Sequence, residues 1–288
     1  HTADQKERGI QMIVTKQQFK LIITDHDGTL VNDERKLLPQ TRETLERLHA
    51  QGYLFGLASG RTVADAKTFP SKWGLSFDFD VIIGLGGGEI WDGVHQRLQK
   101  GKQLRPSVVK EIVELLAPFD LSISIIYPDG RHLVSKMDRF TKESMYRNPN
   151  DRYEFPKDLS ALWQEEAPKV LCRIDEERMP QLEAYVKAHP SPHYWGFKTR
   201  PDIYEFMDPE NTKSNGLRKI CRLLDISLEE VMAFGDTTND NDLLACCYCV
   251  CMANGSEDTK AFSKDVTRYT NNENGVGDYI ERHLLQGK

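Results

Sequence analysis

The stretch LIITDHDGTLVND, residues 21–33, places two carboxylates directly after an apolar run. Asp25 ends the run, Asp27 follows two residues later, and Gly28 and Thr29 complete a sequence typical of a turn. Two carboxylates at this spacing repel one another unless a cation lies between them. The stretch therefore allows two interpretations, a cation site or an ordinary aspartate-rich turn, and the rest of the chain can separate them.

The composition of the 288-residue chain is that of an ordinary globular protein, with 39% hydrophobic and 28% charged residues. A chain of this length can bury the core of one large domain or of two modest ones. No run of about eighteen apolar residues predicts a membrane span. The formal net charge of -6 argues against general affinity for nucleic acid or anionic lipid. We therefore expect neither a nucleic-acid nor a membrane partner, and no feature of the sequence indicates an oligomeric state.

The first residues, 1–11, are polar and lack the apolar stretch of a secretory signal peptide. We interpret them as a tag remnant or a disordered tail, with Met12 as a candidate native start, and leave them out of the fold prediction. Without a secretion signal, the six cysteines are expected to be free thiols. Free thiols indicate a reducing compartment, so the predicted location is the cytoplasm.

Four of the cysteines are concentrated in CCYCVC, residues 246–251. At strand spacing Cys247, Cys249 and Cys251 would share one face, where they could chelate a soft metal. No C-x-x-C pair and no nearby histidine completes a zinc site. The favoured interpretation is therefore that these residues are small apolar side chains of a buried strand.

Both ends of the chain alternate predicted strands with predicted helices. This alternation indicates parallel β-α-β units, in which ligands bind at the carboxyl ends of the strands. Asp25 and Ser59 fall at such strand ends, so we expect both at the binding edge. The predicted strands cover residues 18–24, 53–59, 79–87 and 230–235, and the predicted helices cover residues 38–52, 62–74, 213–225 and 275–285.

The middle of the chain, residues 89–199, has a different pattern. The runs SISIIYPDG and RHLVS predict a hairpin, because the turn residues 128–130 separate two strand-like segments. The runs KVLCRID and YWGFKT predict further strands, with a helix over ERMPQLEAYVKAH between them. We interpret this segment as an α+β domain inserted into an α/β domain that is formed by residues 12–88 and 200–288.

A second acidic run, GDTTNDND, follows the predicted strand EVMAFG and contains Asp236 and Asp240. If this strand lies beside the strand that ends at Asp25, then Asp25, Asp27, Asp236 and Asp240 converge at one edge of the sheet. Magnesium prefers hard oxygen ligands and is held in proteins by carboxylates, waters and substrate phosphate. The two acidic runs together therefore predict a Mg²⁺ site.

Two competing motif assignments fail on spacing. A calcium-binding EF-hand needs glycine at the sixth position of its loop and glutamate at the twelfth. Counted from Asp25 these positions hold Leu30 and Lys36, and counted from Asp236 they hold neither required residue. The run GLGGGE fails as a dinucleotide-binding fingerprint, because Glu89 stands where the third glycine belongs and the run follows a third strand.

The ordered set DHDGTL, ASGR, Lys213 and GDTTND resembles the four motifs of the haloacid dehalogenase superfamily. The flanking sequences YEFMDPENTKSNGL and MANGSEDTK are similar to its Cof-type sugar-phosphatase-like branch. The resemblance extends from Gln18 to about Leu285 and is thin across residues 91–198. It implies a Rossmann-like core with a parallel sheet and an inserted α+β cap domain.

The resemblance also implies a role for each motif residue. Asp25 would be the nucleophile and Asp27 the general acid and base, whose pKa must then be raised for it to donate a proton near neutral pH. Arg61 is interpreted as structural. The remaining assignments are the phosphoryl-binding residues Ser59, Gly60 and Lys213, the backbone N–H of His26, Asn239 as a phosphate or ligand contact, and a Mg²⁺ site formed by Asp25, Asp236, Asp240 and the backbone carbonyl of Asp27.

Two positions depart from the pattern of the branch. His26 stands between the motif aspartates, where the branch usually has an aliphatic or aromatic residue, and we interpret it as tolerated. Gly86, Gly87 and Gly88 stand where the branch commonly has Asn-Gly-Ala. The missing asparagine removes a polar substrate contact, so a sugar preference does not carry over directly.

The sequence thus predicts a Mg²⁺-dependent phosphatase of small phosphorylated metabolites, of the sugar-phosphate type, that acts through an aspartyl phosphate. A phosphomutase of the same superfamily is the nearest alternative. A regulatory or binding module without activity is a second alternative. The presence of both Asp25 and Asp27 favours an enzyme.

Overall fold

The structure, a computed structural model, describes residues 18–285. The interpretations of residues 1–11 and of Met12 lie outside the described residues. Between residues 18 and 285 no helix is both long and apolar enough to cross a lipid bilayer.

The described residues form fourteen β-strands in two sheets. The central strand, LIIT, is buried at every position, as expected for a parallel strand covered on both faces. The strands are β1 Leu21–Thr24, β2 Leu54–Ala58, β3 Val81–Gly84, β4 Glu89–Asp92, β5 Arg97–Lys100, β6 Ser122–Ile126, β7 Arg131–Val134, β8 Arg152–Glu154, β9 Val170–Arg173, β10 Trp195–Arg200, β11 Ile203–Met207, β12 Val231–Gly235, β13 Tyr248–Cys251 and β14 Asp265–Val266.

Ten α-helices connect and cover these strands within the described residues. The single helix predicted over residues 62–74 is wrong, because the chain breaks there into α2 and α3. Pro70 has no backbone N–H to donate to the carbonyl of Ala66, so the helix that begins at Val63 cannot continue through it, and Pro70 instead stands in the first turn of α3. The helices are α1 Pro39–Ala50, α2 Val63–Ala66, α3 Phe69–Lys72, α4 Pro106–Leu116, α5 Arg139–Arg147, α6 Met179–Ala188, α7 Lys213–Leu224, α8 Asn241–Leu244, α9 Glu257–Phe262 and α10 Gly275–Ile280.

The core domain is built on a sheet with the strand order β14-β13-β12-β1-β2-β3-β4-β5. All neighbours from β14 to β3 are parallel, and β4 and β5 are added antiparallel. Side chains of β1 alternate between the two faces, since Ile22 packs in one apolar layer while Leu21 and Ile23 pack in the other. Helix α1 covers the first layer with Leu48, and α7 covers the second with Leu217.

The second domain, which we call the cap, is built on a sheet with the order β10-β11-β9-β6-β7-β8. The predicted hairpin is present as β6 and β7, with Ser124 opposite Val134. Helices α4 and α6 bury Ile112 and Leu182 against one face of this sheet. The predicted fold class, an α/β core with a largely parallel sheet and an inserted α+β cap, is confirmed.

Strand pairing crosses the domain boundaries predicted at residues 89 and 199. β4 and β5 follow residue 88 but pair with the core sheet, and β11 follows residue 199 but pairs with the cap sheet. The sequence pattern of a strand does not show which sheet it joins, since both sheets use short alternating segments. We therefore propose that the chain enters the cap after Lys100 and leaves it after Met207.

The loop between β3 and β4 packs closely against Thr212, in the segment that returns from the cap. Gly86 and Gly87 have φ angles of 63° and 111°, which L-residues with a side chain rarely adopt. A Cβ on Gly87 would overlap the backbone of Thr212. The glycine run predicted to lack a substrate contact thus has a structural role, because it lets this loop approach the start of α7.

We expect Gly87→Ala to lower the melting temperature more than Gly74→Ala does. Both residues have a positive φ, so both substitutions introduce backbone strain of about 1–2 kcal/mol. A Cβ at Gly74 has no atom within 4 Å, whereas a Cβ at Gly87 must displace Thr212. Thermal unfolding of the two variants tests this, and equal losses would contradict the proposed close approach.

Candidate active site

Three carboxylates meet at the edge of the core sheet where β1 and β12 end. Asp25 follows β1 and Asp236 follows β12, and these two strands are paired in parallel. Asp240 joins them from the 3-10 turn Thr238–Asp240. One carboxylate oxygen of each aspartate lies within 4.8 Å of the others. The structure therefore brings together three of the four predicted carboxylates, and the predicted adjacency of the two strands is confirmed.

Asp240 is fully buried, and the chain itself satisfies both of its carboxylate oxygens. Oδ2 accepts hydrogen bonds from the backbone N–H groups of Asp236 at 3.1 Å and Thr237 at 3.3 Å. Oδ1 accepts a hydrogen bond of 2.6 Å from Nζ of Lys213. Asp240 therefore fixes the loop that carries Asp236 and places a negative charge next to the lysine.

Lys213 is the first residue of α7, and its ammonium lies between two carboxylates. Nζ is 3.0 Å from Oδ1 of Asp25 and 2.6 Å from Oδ1 of Asp240, and the side chain is only 10% exposed. Burial opposes the charge, but the attraction of Asp240 and then Asp25 outweighs burial and raises the pKa of Lys213. The Thr212 side chain caps the helix by accepting the N–H of Asn215. Lys213 is thus a fixed, protonated cation.

The surroundings of Asp25 and Asp236 disfavour the ionised form of both carboxyl groups. Burial and then the charge of Asp240 raise the pKa of Asp25 well above its ordinary range, although Lys213 opposes this. Burial and Asp240 also raise the pKa of Asp236 to about 6, although Thr29 Oγ1 donates a 2.9 Å hydrogen bond to its Oδ1. Enclosed, mutually repelling carboxylate oxygens suit a hard divalent cation, so this donor set fits Mg²⁺.

The side chain of Asp27 lies outside this cluster and is 59% exposed. Its Oδ2 is 3.8 Å from a guanidinium nitrogen of Arg61, which also binds Asp65 at 3.0 Å. Partial burial would raise the pKa of Asp27, but His26 and Arg61 outweigh it and lower the pKa to about 2. The protein's own side chains therefore lower the pKa that a proton donor needs raised, and the sequence does not show that the His26 ring and the Arg61 guanidinium lie beside Asp27.

His26 fills an aromatic layer under the first motif loop. Its ring is 97% buried and stacks on Phe69 at 4.7 Å and on Trp73 at 5.8 Å. Nδ1 lies 3.2 Å from Oδ1 of Asp27. The imidazole thus occupies the place of the usual apolar residue and adds a nitrogen that faces Asp27.

Ser59 and Gly60 follow β2, the neighbour of β1, at the same edge of the sheet. Ser59 is buried, and its backbone N–H donates to the carbonyl of Ile83 at 2.8 Å. Its Oγ accepts the N–H of Arg61 at 3.2 Å, which leaves the hydroxyl hydrogen free to donate. Gly60 is exposed. Both residues lie where the sequence predicts them.

A cavity of about 600 Å³ lies between the cap and the turn that carries Asp240. Asn239 lines it from the core, and Trp195, Phe197 and Lys198 line it from β10. A cavity of this size holds a small metabolite. The predicted ligand contact at Asn239 therefore faces a space in which a ligand fits.

Three residues that support the site were not predicted as site residues: Thr29, Arg61 and Asn211. The first two lie within the motif runs, so their positions were available as a signal. Asn211 lies in the flanking run YEFMDPENTKSNGL, but nothing in that run indicated its contacts. It is fully buried and accepts the N–H of Lys102 at 3.0 Å on its side chain and the indole N–H of Trp195 at 3.3 Å on its carbonyl.

Comparison with known proteins agrees with this geometry. A family model described as haloacid dehalogenase-like hydrolase matches residues 22–280. The chain therefore belongs to this family of hydrolases, and the resemblance noted in its motifs is confirmed. Within the family the chain is a phosphatase, in keeping with the relatives that it resembles.

The relatives cover almost the whole chain. The 5-amino-6-(5-phospho-D-ribitylamino)uracil phosphatase YwtE of Bacillus subtilis (strain 168) is 26% identical over 306 residues, which cover 94% of this chain and 99% of the relative. A haloacid dehalogenase-like hydrolase of Bacteroides thetaiotaomicron superposes with a TM-score of 0.76 at 26% identity, over 92% of this chain and 99% of that structure. The subclass IIB sugar phosphatase BT4131 shares the fold, with a TM-score of 0.76 at 23% identity over 91% and 98% of the two chains.

We expect Asp236→Asn to stabilise the protein at pH 8 when divalent cations are removed. A carboxyl whose pKa is raised to about 6 holds its proton more tightly in the folded than in the unfolded state. The stability that protonation provides is therefore lost as the pH rises from about 4 through about 6. Thermal unfolding in chelator at pH 5 and pH 8 measures this loss, which Asp236→Asn should largely remove.

The exposed Asp78 offers a matched control. Asp78→Asn should leave the pH dependence of the melting temperature as it is in the unsubstituted protein. Added Mg²⁺ should raise the melting temperature of the unsubstituted protein more at pH 8 than at pH 5. A lower melting temperature for Asp236→Asn than for the unsubstituted protein at pH 8 in chelator would contradict the repulsive cluster.

Proposed function

We propose that this phosphatase hydrolyses small phosphorylated metabolites of the sugar-phosphate type, with Mg²⁺ as its cofactor, through a phosphorylated Asp25. The observation that carries the proposal is the buried cation of Lys213 between Asp25 and Asp240, with an oxygen of Asp236 within 4.8 Å of both carboxylates. A cavity between core and cap is lined by Asn239, the residue before Asp240. Phosphoryl transfer asks of a protein mainly positioning and charge stabilisation, and this site offers both.

The side chains of Asp25, Asp236 and Asp240, together with the backbone carbonyl of Asp27, would hold Mg²⁺. When bound, Mg²⁺ would neutralise negative charge on the phosphoryl oxygens and on the carboxylates around it. Both oxygens of Asp240 already accept hydrogen bonds, one from Lys213 and one from the backbone N–H of Asp236. Asp240 would therefore support the metal site partly by positioning these two residues.

Asp25 is proposed as the nucleophile. Its Oδ1 accepts the hydrogen bond of Lys213, so Oδ2 is the oxygen that remains for attack on phosphorus. A bond forms from Oδ2 to phosphorus while the bond from phosphorus to the ester oxygen breaks, and the phosphoryl group moves to Asp25. Water then attacks this phosphoryl group, which releases inorganic phosphate and regenerates the carboxylate.

Asp27 is proposed to move the protons of both steps. It would give a proton to the departing ester oxygen and then take one from the attacking water. With a pKa of about 2 in this arrangement, Asp27 is already in the form that accepts a proton. To donate one it must first be protonated, and the negative charge of a bound phosphate would raise its pKa in that direction.

The transferred phosphoryl group would be held by Lys213 from one side and by the edge of β2 from the other. The Ser59 hydroxyl and the backbone N–H of Gly60 are proposed donors to its oxygens, and the N–H of His26 is a third. Asn239 is proposed to contact the ligand from the cavity wall.

The substrate class and location are proposed on two supporting facts. The relative YwtE is named for a substrate in which a phosphorylated ribityl chain carries a uracil, and a cavity of about 600 Å³ accommodates compounds of that size. All six cysteines are free, which supports a reducing compartment such as the cytoplasm. The β13 cysteines are buried strand residues. Within residues 18–285 the set of side chains that could hold a metal ion is Asp25, Asp236 and Asp240.

We expect Asp25→Asn and Asp27→Asn to fail in different ways. The first variant lacks the attacking carboxylate, so no phosphoenzyme should form. The second keeps the nucleophile but cannot transfer a proton, which typically costs about 10²- to 10⁴-fold in rate. Its loss should be smaller for a nitrophenyl phosphate, whose leaving group needs little protonation.

Intact-protein mass after rapid quench, with nitrophenyl phosphate as the donor, measures this difference. The Asp27→Asn protein should gain the mass of one phosphoryl group, and the control Asp78→Asn should turn over at the rate of the unsubstituted protein. A phosphorylated Asp25→Asn protein would refute the assignment of the nucleophile. Equal losses on activated and unactivated esters would refute the role of Asp27.

We also expect activity to require a divalent cation that prefers hard oxygen ligands. Excess chelator should abolish phosphate release, because the carboxylate cluster then repels the anionic substrate. Mg²⁺ should restore it, and Ca²⁺ should restore it poorly, since its higher and looser coordination favours bidentate binding that ties up the attacking oxygen. Turnover in chelator equal to turnover in Mg²⁺ would rule out this mechanism.

A further inference from the structure

Two aromatic side chains of the cap line the cavity that reaches the core at Thr238 and Asn239, in the turn that carries Asp240. Trp195 and Phe197 lie two positions apart on β10, the edge strand of the cap sheet, and so point to the same face. Their rings are stacked, with centroids 4.0 Å apart and an angle of 24° between the planes. Both residues line the cavity of about 600 Å³ and neither is fully buried. Stacked aromatic surface left open in a cavity is suited to binding a flat partner.

The position of Trp195 is fixed relative to the phosphoryl site. Its indole N–H donates to the backbone carbonyl of Asn211 at 3.3 Å, and Asn211 is fully buried. Lys213, whose ammonium binds Asp25, is only two residues further along the chain, a backbone distance of at most about 7 Å. The indole is thus anchored on the segment that also carries the phosphate-binding lysine.

The walls of the cavity add polar groups to this aromatic surface. Lys198 and Glu183 both line the cavity and lie 3.6 Å apart, with their side chains 45% and 39% exposed. One offers hydrogen-bond donors and the other offers acceptors. This combination suits a ring that has its own polar atoms better than a plain hydrocarbon ring.

We infer that the leaving group of the substrate carries a planar nitrogen heterocycle that stacks against Trp195 and Phe197 in this cavity. The inference rests on the proposed function, because it assigns a ring to the metabolite that is dephosphorylated. The substrate class is then a phosphorylated sugar or sugar alcohol with a heterocycle at its far end. The cap recognises the ring, while the core recognises the phosphate.

Paired substrates that differ by the ring test this inference. The pairs are uridine 5′-monophosphate with ribose 5-phosphate, and a phosphoribitylamino-pyrimidine with ribitol 5-phosphate, each measured as kcat/KM with Mg²⁺. Stacking of a base on an aromatic side chain typically changes binding by roughly five- to a hundredfold. We expect the ring-bearing member of at least one pair to be preferred by about tenfold or more.

The variants Trp195→Leu and Trp195→Phe distinguish the effect of aromatic stacking on the ring preference from the effect of apolar side-chain volume. The leucine variant should lose most of the preference within the pair, mainly through KM, and the phenylalanine variant should keep a large part of it. Phe197→Leu provides a second removal of aromatic surface if Trp195→Leu does not fold. Trp163→Leu is the matched control, since Trp163 is a cap tryptophan that packs on the apolar core of the cap and does not line the cavity.

The outcomes distinguish this inference from the proposed function. Hydrolysis without preference for either ring, or a preference that Trp195→Leu and Phe197→Leu leave intact, overturns the ring site and leaves the phosphatase reaction standing. A preference lost equally in Trp163→Leu also overturns it, because the effect would then come from general loosening of the cap. No hydrolysis of any of the four esters or of acetyl phosphate refutes the proposed function, and the ring site falls with it.

Discussion

The buried ammonium of Lys213 is the interaction on which the site depends. An isolated charge in the interior is strongly unfavourable, and Lys213 is tolerated there because Asp25 and Asp240 both contact it. The same ammonium allows these carboxylates to lie within 4.8 Å of each other and of Asp236. If all three acids are ionised, the cluster keeps a formal charge of -2, which a divalent cation or protons must balance. The folded chain thus has an excess of negative charge in this cluster, which favours binding of a cation.

The path of the chain couples this charge to the cap. Lys213 begins the helix that follows the return from the cap, and β11, the last cap strand, ends at Met207 only a few residues earlier. Asn211 binds the outgoing connection at both the N–H and the carbonyl of Lys102. Gly87 packs against Thr212 next to it. The two connections between core and cap therefore contact each other next to Lys213.

The sequence predicted what depends on local pattern and on general rules for parallel sheets. Asp25 and Asp236 could be placed together because each follows an apolar strand, and parallel strands share one carboxyl edge. The sheet membership of β4, β5 and β11 could not be predicted, because pairing partners are chosen by contacts distant in sequence. Helix α4 was missed although its buried residues, Val109 and Ile112 among them, follow helical spacing. The environment of Asp27 depends on Arg61 and on the stacked ring of His26, which only the folded chain brings there.

The pKa values of Asp25 and Asp27 indicate which bound groups the proposed reaction needs. In the proposed mechanism Asp25 must be ionised to attack, yet burial and Asp240 raise its pKa. Asp27 must be protonated to help the leaving group, yet its pKa is about 2. Without bound cation and phosphate, each of these two pKa shifts opposes the proposed reaction. A bound divalent cation would favour the charged form of Asp25, and a bound phosphate would disfavour the charged form of Asp27, so each would oppose the corresponding pKa shift. The surroundings of both aspartates would therefore suit the proposed roles only with cation and substrate bound: Asp25, which Asp236 and Asp240 repel, would then act as the nucleophile, and Asp27 as the acid.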